Sequence, residues 1–140
     1  LGDVDGMPLP QRTALRQAMQ ATAGGRDMVL NLAINYGARA EIVNAVCACL
    51  RDGLKPEDVT EEKVAERLYT AGQPDPDLVI RTSGELRLSN YLLFQCAYSE
   101  LYFTPVPWPD FGVEALHAAL TDYAGRSRRF GKTQEQINGR

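Results

Sequence analysis

Short apolar runs of strand length alternate along this chain with stretches whose apolar residues recur at helical spacing, and that alternation limits the possible fold more than any other feature. Residues 28–37, MVLNLAINYG, read as a strand apolar enough to be covered on both faces. Residues 77–82, centred on Leu78-Val79-Ile80, and residues 100–104 read as two shorter strands. Between and around them lie five helical patterns. The first covers 11–22, with Leu15, Ala18 and Met19, and ends at Gly24-Gly25. The second starts at Arg39, carries Ile42, Val43, Val46, Cys49 and Leu50 as one stripe, and stops at Gly53. Thr60 is an N-cap for the third, with Glu61 and Glu62 in its first turn and an end near Gly72. Ser89 caps a fourth through about Tyr98, apolar nearly all round and so expected to be buried; the last, 113–125, carries Val113, Leu116, Leu120 and Tyr123. Strands alternating with helices imply an α/β fold, a parallel sheet flanked by helices.

A chain of 140 residues suits a single domain, with a polar tail from about residue 126. The formal net charge of −3 argues against a general nucleic-acid binder, which carries a basic excess, so any anion site must be local. No apolar run reaches the roughly 20 residues of a membrane-spanning helix, and LGDVDGMPLPQR has none of the segments of a signal peptide, so a cytoplasmic location is expected. Leu1-Gly2-Asp3 reads as the end of a strand whose beginning is absent, which suggests a fragment. Cys47 and Cys49 fall about 200° apart round a helix, cannot share a metal, and are expected to be small core residues.

The chemistry concentrates in residues 81–90, RTSGELRLSN. Ligands of open parallel sheets bind beyond the carboxyl ends of the strands, where Arg81 and Thr82 would stand. If Ser89 opens a helix, its free N–H groups and dipole favour an anion there. Arg81, Arg87 and the Ser89 hydroxyl could then converge on a phosphate group, and two guanidinium forks suit a pyrophosphate better than a lone carboxylate. The competing reading is a surface network in which both arginines pair with Glu85.

Glu100 lies in an apolar neighbourhood and requires a cation, either an arginine or Mg²⁺. Asp3-Val4-Asp5-Gly6 matches the D-x-D-G of haloacid-dehalogenase-type phosphatases only superficially, since Met7 stands where a threonine is usual. His117 sits beside the last helix's apolar stripe without a second ligand, as a core-edge residue, and neither a P-loop nor G-x-G-x-x-G occurs.

Taken together, LNLAINYGAR followed by EIV, then DPDLVIRTSGELRLSNYLLFQCAYSELYF with PWPDF, and finally RRFG, resemble the cis-prenyltransferases, notably the undecaprenyl pyrophosphate synthases. The resemblance implies condensation of isopentenyl pyrophosphate with an allylic pyrophosphate such as farnesyl pyrophosphate, with Mg²⁺ as cofactor, in a homodimer with at most peripheral membrane contact. By matching position, Arg81, Arg87, Leu88 and Ser89 would hold isopentenyl pyrophosphate, Glu85 would orient an arginine, and Glu100 would be a Mg²⁺ ligand. Arg129 and Gly131 match the C-terminal R-x-G motif that reaches the partner subunit's substrate. Ala38 departs from the second glycine of NYGGR, and Leu86 from a position often polar or aromatic. The motif H-x-M-D-G-N-x-R, with the family's catalytic aspartate, belongs to an N-terminal half that this sequence does not contain. The expectation is therefore the C-terminal part of one cis-prenyltransferase domain, with no catalytic residue of its own and inactive alone. The alternatives are a noncatalytic partner subunit of a heteromeric prenyltransferase and a stand-alone phosphate-binding module or phosphatase.

Overall fold

The structure, a computed structural model, describes residues 1–127. The chain divides into two compact units, Leu1–Gln73 and the residues from Pro74 onward.

In the first unit, helix α1 spans Leu9–Thr22, with Pro10 in its first turn, where a missing N–H costs nothing. Arg16 bonds Asp5 at 2.6 Å, and Arg12 donates to the Asp5 carbonyl at 3.2 Å. Asp3 accepts from the Gly6 N–H at 2.9 Å, so the D-x-D-G stretch is a hydrogen-bonded turn.

Helix α2, Ala38–Arg51, buries Ala38, Glu41, Ala45 and Cys49. This seam is displaced from the expected one: Val43, Val46 and Leu50 are exposed. Cys47 is exposed rather than a core residue, whereas Cys49 is buried.

Thr60 accepts from the Lys63 N–H and opens α3, Glu61–Ala65. The expected continuation to residue 72 does not form. Glu41 takes the Tyr69 N–H at 2.7 Å, the donor that would otherwise bond Ala65, and the chain proceeds in three-residue turns. The other Glu41 oxygen accepts from the Tyr36 hydroxyl at 2.5 Å, and the two tyrosine rings meet edge to face. Arg67 grips Asp52 through Nε and a terminal nitrogen at 2.9 and 2.7 Å, tying the end of α2 to this segment.

The expected strand at 28–37 is not a strand. Met28, Val29 and Leu30 are exposed, and only the Leu1–Leu32, Ile34–Leu1 and Asp3–Asn35 main-chain bonds join this run to residues 1–3. A ladder needs a partner along its length, and among the described residues this one has it only at one end.

In the second unit, β1 (Leu78–Arg81) and β2 (Glu100–Phe103) form a parallel pair in the register Leu78 with Glu100 through Arg81 with Phe103. Pairing continues past the strands: Thr104 N–H donates to the Arg81 carbonyl, Ser83 N–H to Val106 and Gly84 N–H to Thr104. Helix α4, Val113–Ala124, packs against β2 through a face centred on buried Ala119, and His117 is exposed rather than at a core edge.

The expected helix from Ser89 is absent. Ser89, Asn90 and Leu92 have left-handed φ values of 54°, 62° and 42°, which break an α-helical ladder, and only a 3₁₀ turn at Gln95–Tyr98 follows. Leu92, Gln95 and Cys96 are nevertheless buried, so part of the expected core contribution survives.

Glu41, 1% exposed, was not singled out by sequence. Replacing it with alanine strips the Tyr69 N–H of its acceptor and should cost about 1–3 kcal/mol in denaturant unfolding, whereas Glu41→Gln, which keeps one acceptor oxygen, should recover part of that loss.

Candidate functional site

β1 delivers Arg81 to its carboxyl end, and the main-chain bonds of Ser83 and Gly84 turn the following loop back over Thr104 and Val106. Ser83 and Gly84 both adopt left-handed φ values, 66° and 71°. The result is a pocket of about 410 Å³ with Arg81, Thr82, Ser83, Glu85 and Arg87 on its polar side, and Val79, Ile80, Leu88, Tyr91 and Trp108 completing it.

Arg81 and Arg87 thus share one pocket, and Leu88 lines it. Ser89 is exposed and does not line it, nor does it present a helix end there. Any anion binding at this place relies on guanidinium groups and loop polar groups instead of a helix dipole.

The competing surface network is half realised. Glu85 forms an ion pair with Arg87, while Arg81, partly buried, makes no ion pair among the described residues. Two arginines against one carboxylate leave the pocket with a local positive excess in a chain of net charge −3. Burial, then the neighbouring Cys96, pushes the Tyr91 phenol above its ordinary pKa, so its hydroxyl stays neutral and adds no negative charge.

Glu100 opens β2, and its cation is an arginine. Arg126 donates to Glu100 at 2.9 Å and to the Leu101 carbonyl at 2.9 Å, and pairs with Asp122 at 2.5 Å. The hydrogen bond that Arg126 donates to Glu100 leads in raising the Arg126 pKa, with Asp122 adding to it. Mg²⁺ demands near-octahedral oxygen ligation, but no cluster of three or more potential ligands exists among the described residues, and Glu100 is already charge-balanced. Among the described residues, these groups alone do not compose a magnesium site. Arg129 and Gly131 lie outside the described residues.

Sequence reasoning missed Trp108, Tyr91 and Ser83 as lining groups. The tryptophan in PWPDF carried no signal of its own, since it joins the pocket only through the pairing of residues 83–84 with 104–106.

The family model described as a putative undecaprenyl diphosphate synthase matches residues 1–131. The chain belongs to this family. It is 47% identical over 144 residues to an isoprenyl transferase of Geobacter sulfurreducens, covering all of this chain and 58% of that protein. An isoprenyl transferase of Streptococcus agalactiae is 50% identical over 139 residues, covering 94% of this chain and 56% of its own length. The chain thus spans little more than half the length of these relatives.

Solved structures agree. Lavandulyl diphosphate synthase from Lavandula x intermedia, in complex with dimethylallyl diphosphate, superposes with a TM-score of 0.88 at 38% identity, covering 94% of this chain and 58% of that one. A probable undecaprenyl diphosphate synthase from Campylobacter jejuni gives 0.83 at 31% identity, covering 94% and 61%. The α/β class, with its parallel pair and flanking helices, is that of these prenyltransferases. No helix among the described residues is long and apolar enough to cross a membrane.

The Glu100–Arg126 pair yields a direct check. Glu100→Gln and Arg126→Ala should each lower the midpoint of thermal unfolding, and the double variant should lose little more than either single one, as coupled partners do. Adding Mg²⁺ to the unmodified chain should leave that midpoint unchanged; a rise would show that Glu100 recruits metal in spite of the arginine.

Proposed function

We propose that this chain carries the isopentenyl pyrophosphate half-site of a cis-prenyltransferase, which joins that five-carbon unit to an allylic pyrophosphate such as farnesyl pyrophosphate. The observation that carries the reading is the shared pocket of Arg81 and Arg87 at the carboxyl end of β1, in which Arg81 has no carboxylate partner among the described residues. Membership of the family supports the reaction class.

The chemistry follows from charge. When an allylic pyrophosphate ionises, the leaving group gains negative charge and the allyl carbons positive charge, so the protein must fix and neutralise phosphate oxygens. Arg81 offers a fork from a fixed strand end. Arg87 reaches the same space from the loop, with Glu85 holding its guanidinium in place. Thr82 and Ser83 supply hydroxyl groups, and the Ser83 N–H is already committed to Val106, so the side chain alone is available from that residue.

These groups bind and orient a diphosphate; none of them is placed to act as a base on the reacting carbons. The chain by itself is therefore read as binding without turnover. In the complete enzyme, a second copy contributing Arg129 and Gly131, and Mg²⁺ held with residues beyond those described, belong to the same proposal.

Calorimetry tests it. The 140-residue chain should bind isopentenyl pyrophosphate, and Arg81→Ala or Arg87→Ala should each weaken binding roughly 10- to 100-fold, the loss expected for a charge-assisted hydrogen-bonded contact. Both variants should keep the parent's unfolding midpoint. Undiminished binding by Arg81→Ala would refute the site, and chain elongation from farnesyl and isopentenyl pyrophosphates by this chain with Mg²⁺ would refute the half-site reading.

A further inference from the structure

Trp108 is 73% exposed although it lines the arginine pocket. Its orientation is not free: the indole lies nearly parallel to the Phe111 ring, 10° off, with centroids 6.4 Å apart, and Pro107 and Pro109 flank it in the 3₁₀ turn Trp108–Asp110. The ladder that continues through Ser83 to Val106 fixes where this turn starts relative to Arg81. An aromatic side chain held by this turn and by Phe111 therefore lines the pocket with much of its area in water. Burying it under a ligand would recover apolar area that folding of this unit leaves exposed.

The ligand that does so is constrained on two sides. A cation over the indole is disfavoured by Arg81 and Arg87, which line the same pocket, and the part of a ligand that gains most from contact with Trp108 is uncharged and apolar. Val79, Ile80 and Leu88 lie on the same pocket, and Tyr91 stays neutral. At about 410 Å³ the pocket is near the small end of the range for ligand sites, which begins at about 300 Å³, so a short hydrocarbon group fits and a long one must leave it.

Resting on the half-site reading above, we infer that Trp108 is the hydrocarbon wall of this pocket. The site selects a diphosphate bearing a short branched alkenyl group over free pyrophosphate, and Trp108 is the residue that makes the selection.

The sequence contains a single tryptophan, so its fluorescence reports this position alone in the unmodified chain. Inorganic pyrophosphate and isopentenyl pyrophosphate are titrated separately by calorimetry, and acrylamide quenching of Trp108 is measured with each at saturation. Isopentenyl pyrophosphate should bind roughly tenfold tighter than pyrophosphate and shield the indole from acrylamide, while pyrophosphate leaves quenching close to that of the free chain. Trp108→Ala should bring the two affinities together, and Trp108→Phe should retain part of the difference; both variants should fold, since the side chain is mostly in water. Equal affinities in the unmodified chain, unchanged quenching with isopentenyl pyrophosphate bound, or equal weakening of both ligands by Trp108→Ala would overturn the inference while leaving the arginine site standing. Binding of neither ligand would overturn the half-site reading and this inference with it.

Discussion

The parallel hydrogen-bonded pairing of β1 with β2 is the constraint on which the second unit depends. It places the Arg81 carbonyl under the Thr104 N–H, so the arginine's side chain starts from a backbone atom that cannot drift. The same ladder, extended through Ser83 and Gly84, brings residues 81–88 and 104–111 to one edge although more than a dozen residues separate them. Without it the pocket's arginines and its aromatic plane would belong to independent loops. Gly84 helps the turn close: its φ of 71° is one that a side chain would strain, and an added Cβ would only just reach the Pro105 Cα at 4.0 Å, so conformation rather than space selects glycine.

What was legible in the sequence is what local chemistry decides. The helices Leu9–Thr22, Ala38–Arg51 and Val113–Ala124 and the strands Leu78–Arg81 and Glu100–Phe103 announce themselves by periodicity and by the glycines and prolines that bound them. Arg81 and Arg87 could be assigned to one place because a polar loop following a buried strand has few places to go, whereas Leu88 was assigned only through the family resemblance. The failures are of another kind. Glu41 diverts the Tyr69 N–H and ends a helix that Thr60 had started well. The α2 seam runs along small residues and Glu41 in place of the expected stripe, and the helix expected from Ser89 gives way to left-handed residues. The Glu41 outcome was fixed by a residue 28 positions away from Tyr69, which a local periodicity cannot contain.

Glu41 and Glu100 show two solutions to one problem. A carboxylate removed from water must replace its hydration. Glu41, almost wholly buried, does so with a tyrosine hydroxyl and a main-chain N–H among its donors. Glu100, only partly buried, takes a guanidinium that also bonds a carbonyl and a second carboxylate. The sequence left arginine and metal open for Glu100. Arg126 leaves α4 just where that helix packs on β2, and so supplies the arginine.

That resolution sharpens the meaning of Arg81. Arg12 and Arg16 lie against Asp5, Arg67 against Asp52, Arg87 against Glu85, and Arg126 against Glu100 and Asp122. Acidic residues outnumber basic ones, 18 to 15, so carboxylates are not scarce. A partly buried guanidinium at a strand end, in a fold that pairs so many of its arginines, forgoes stabilisation that a nearby Asp or Glu could supply. Stability alone gives no reason to hold such a position open, whereas the diphosphate proposed above would: a resident carboxylate would have to be displaced before it could bind, and the affinity would fall by the strength of the broken pair. Glu85 illustrates the permissible compromise, because it steadies Arg87 at the exposed rim and leaves the less exposed Arg81 without a carboxylate partner among the described residues.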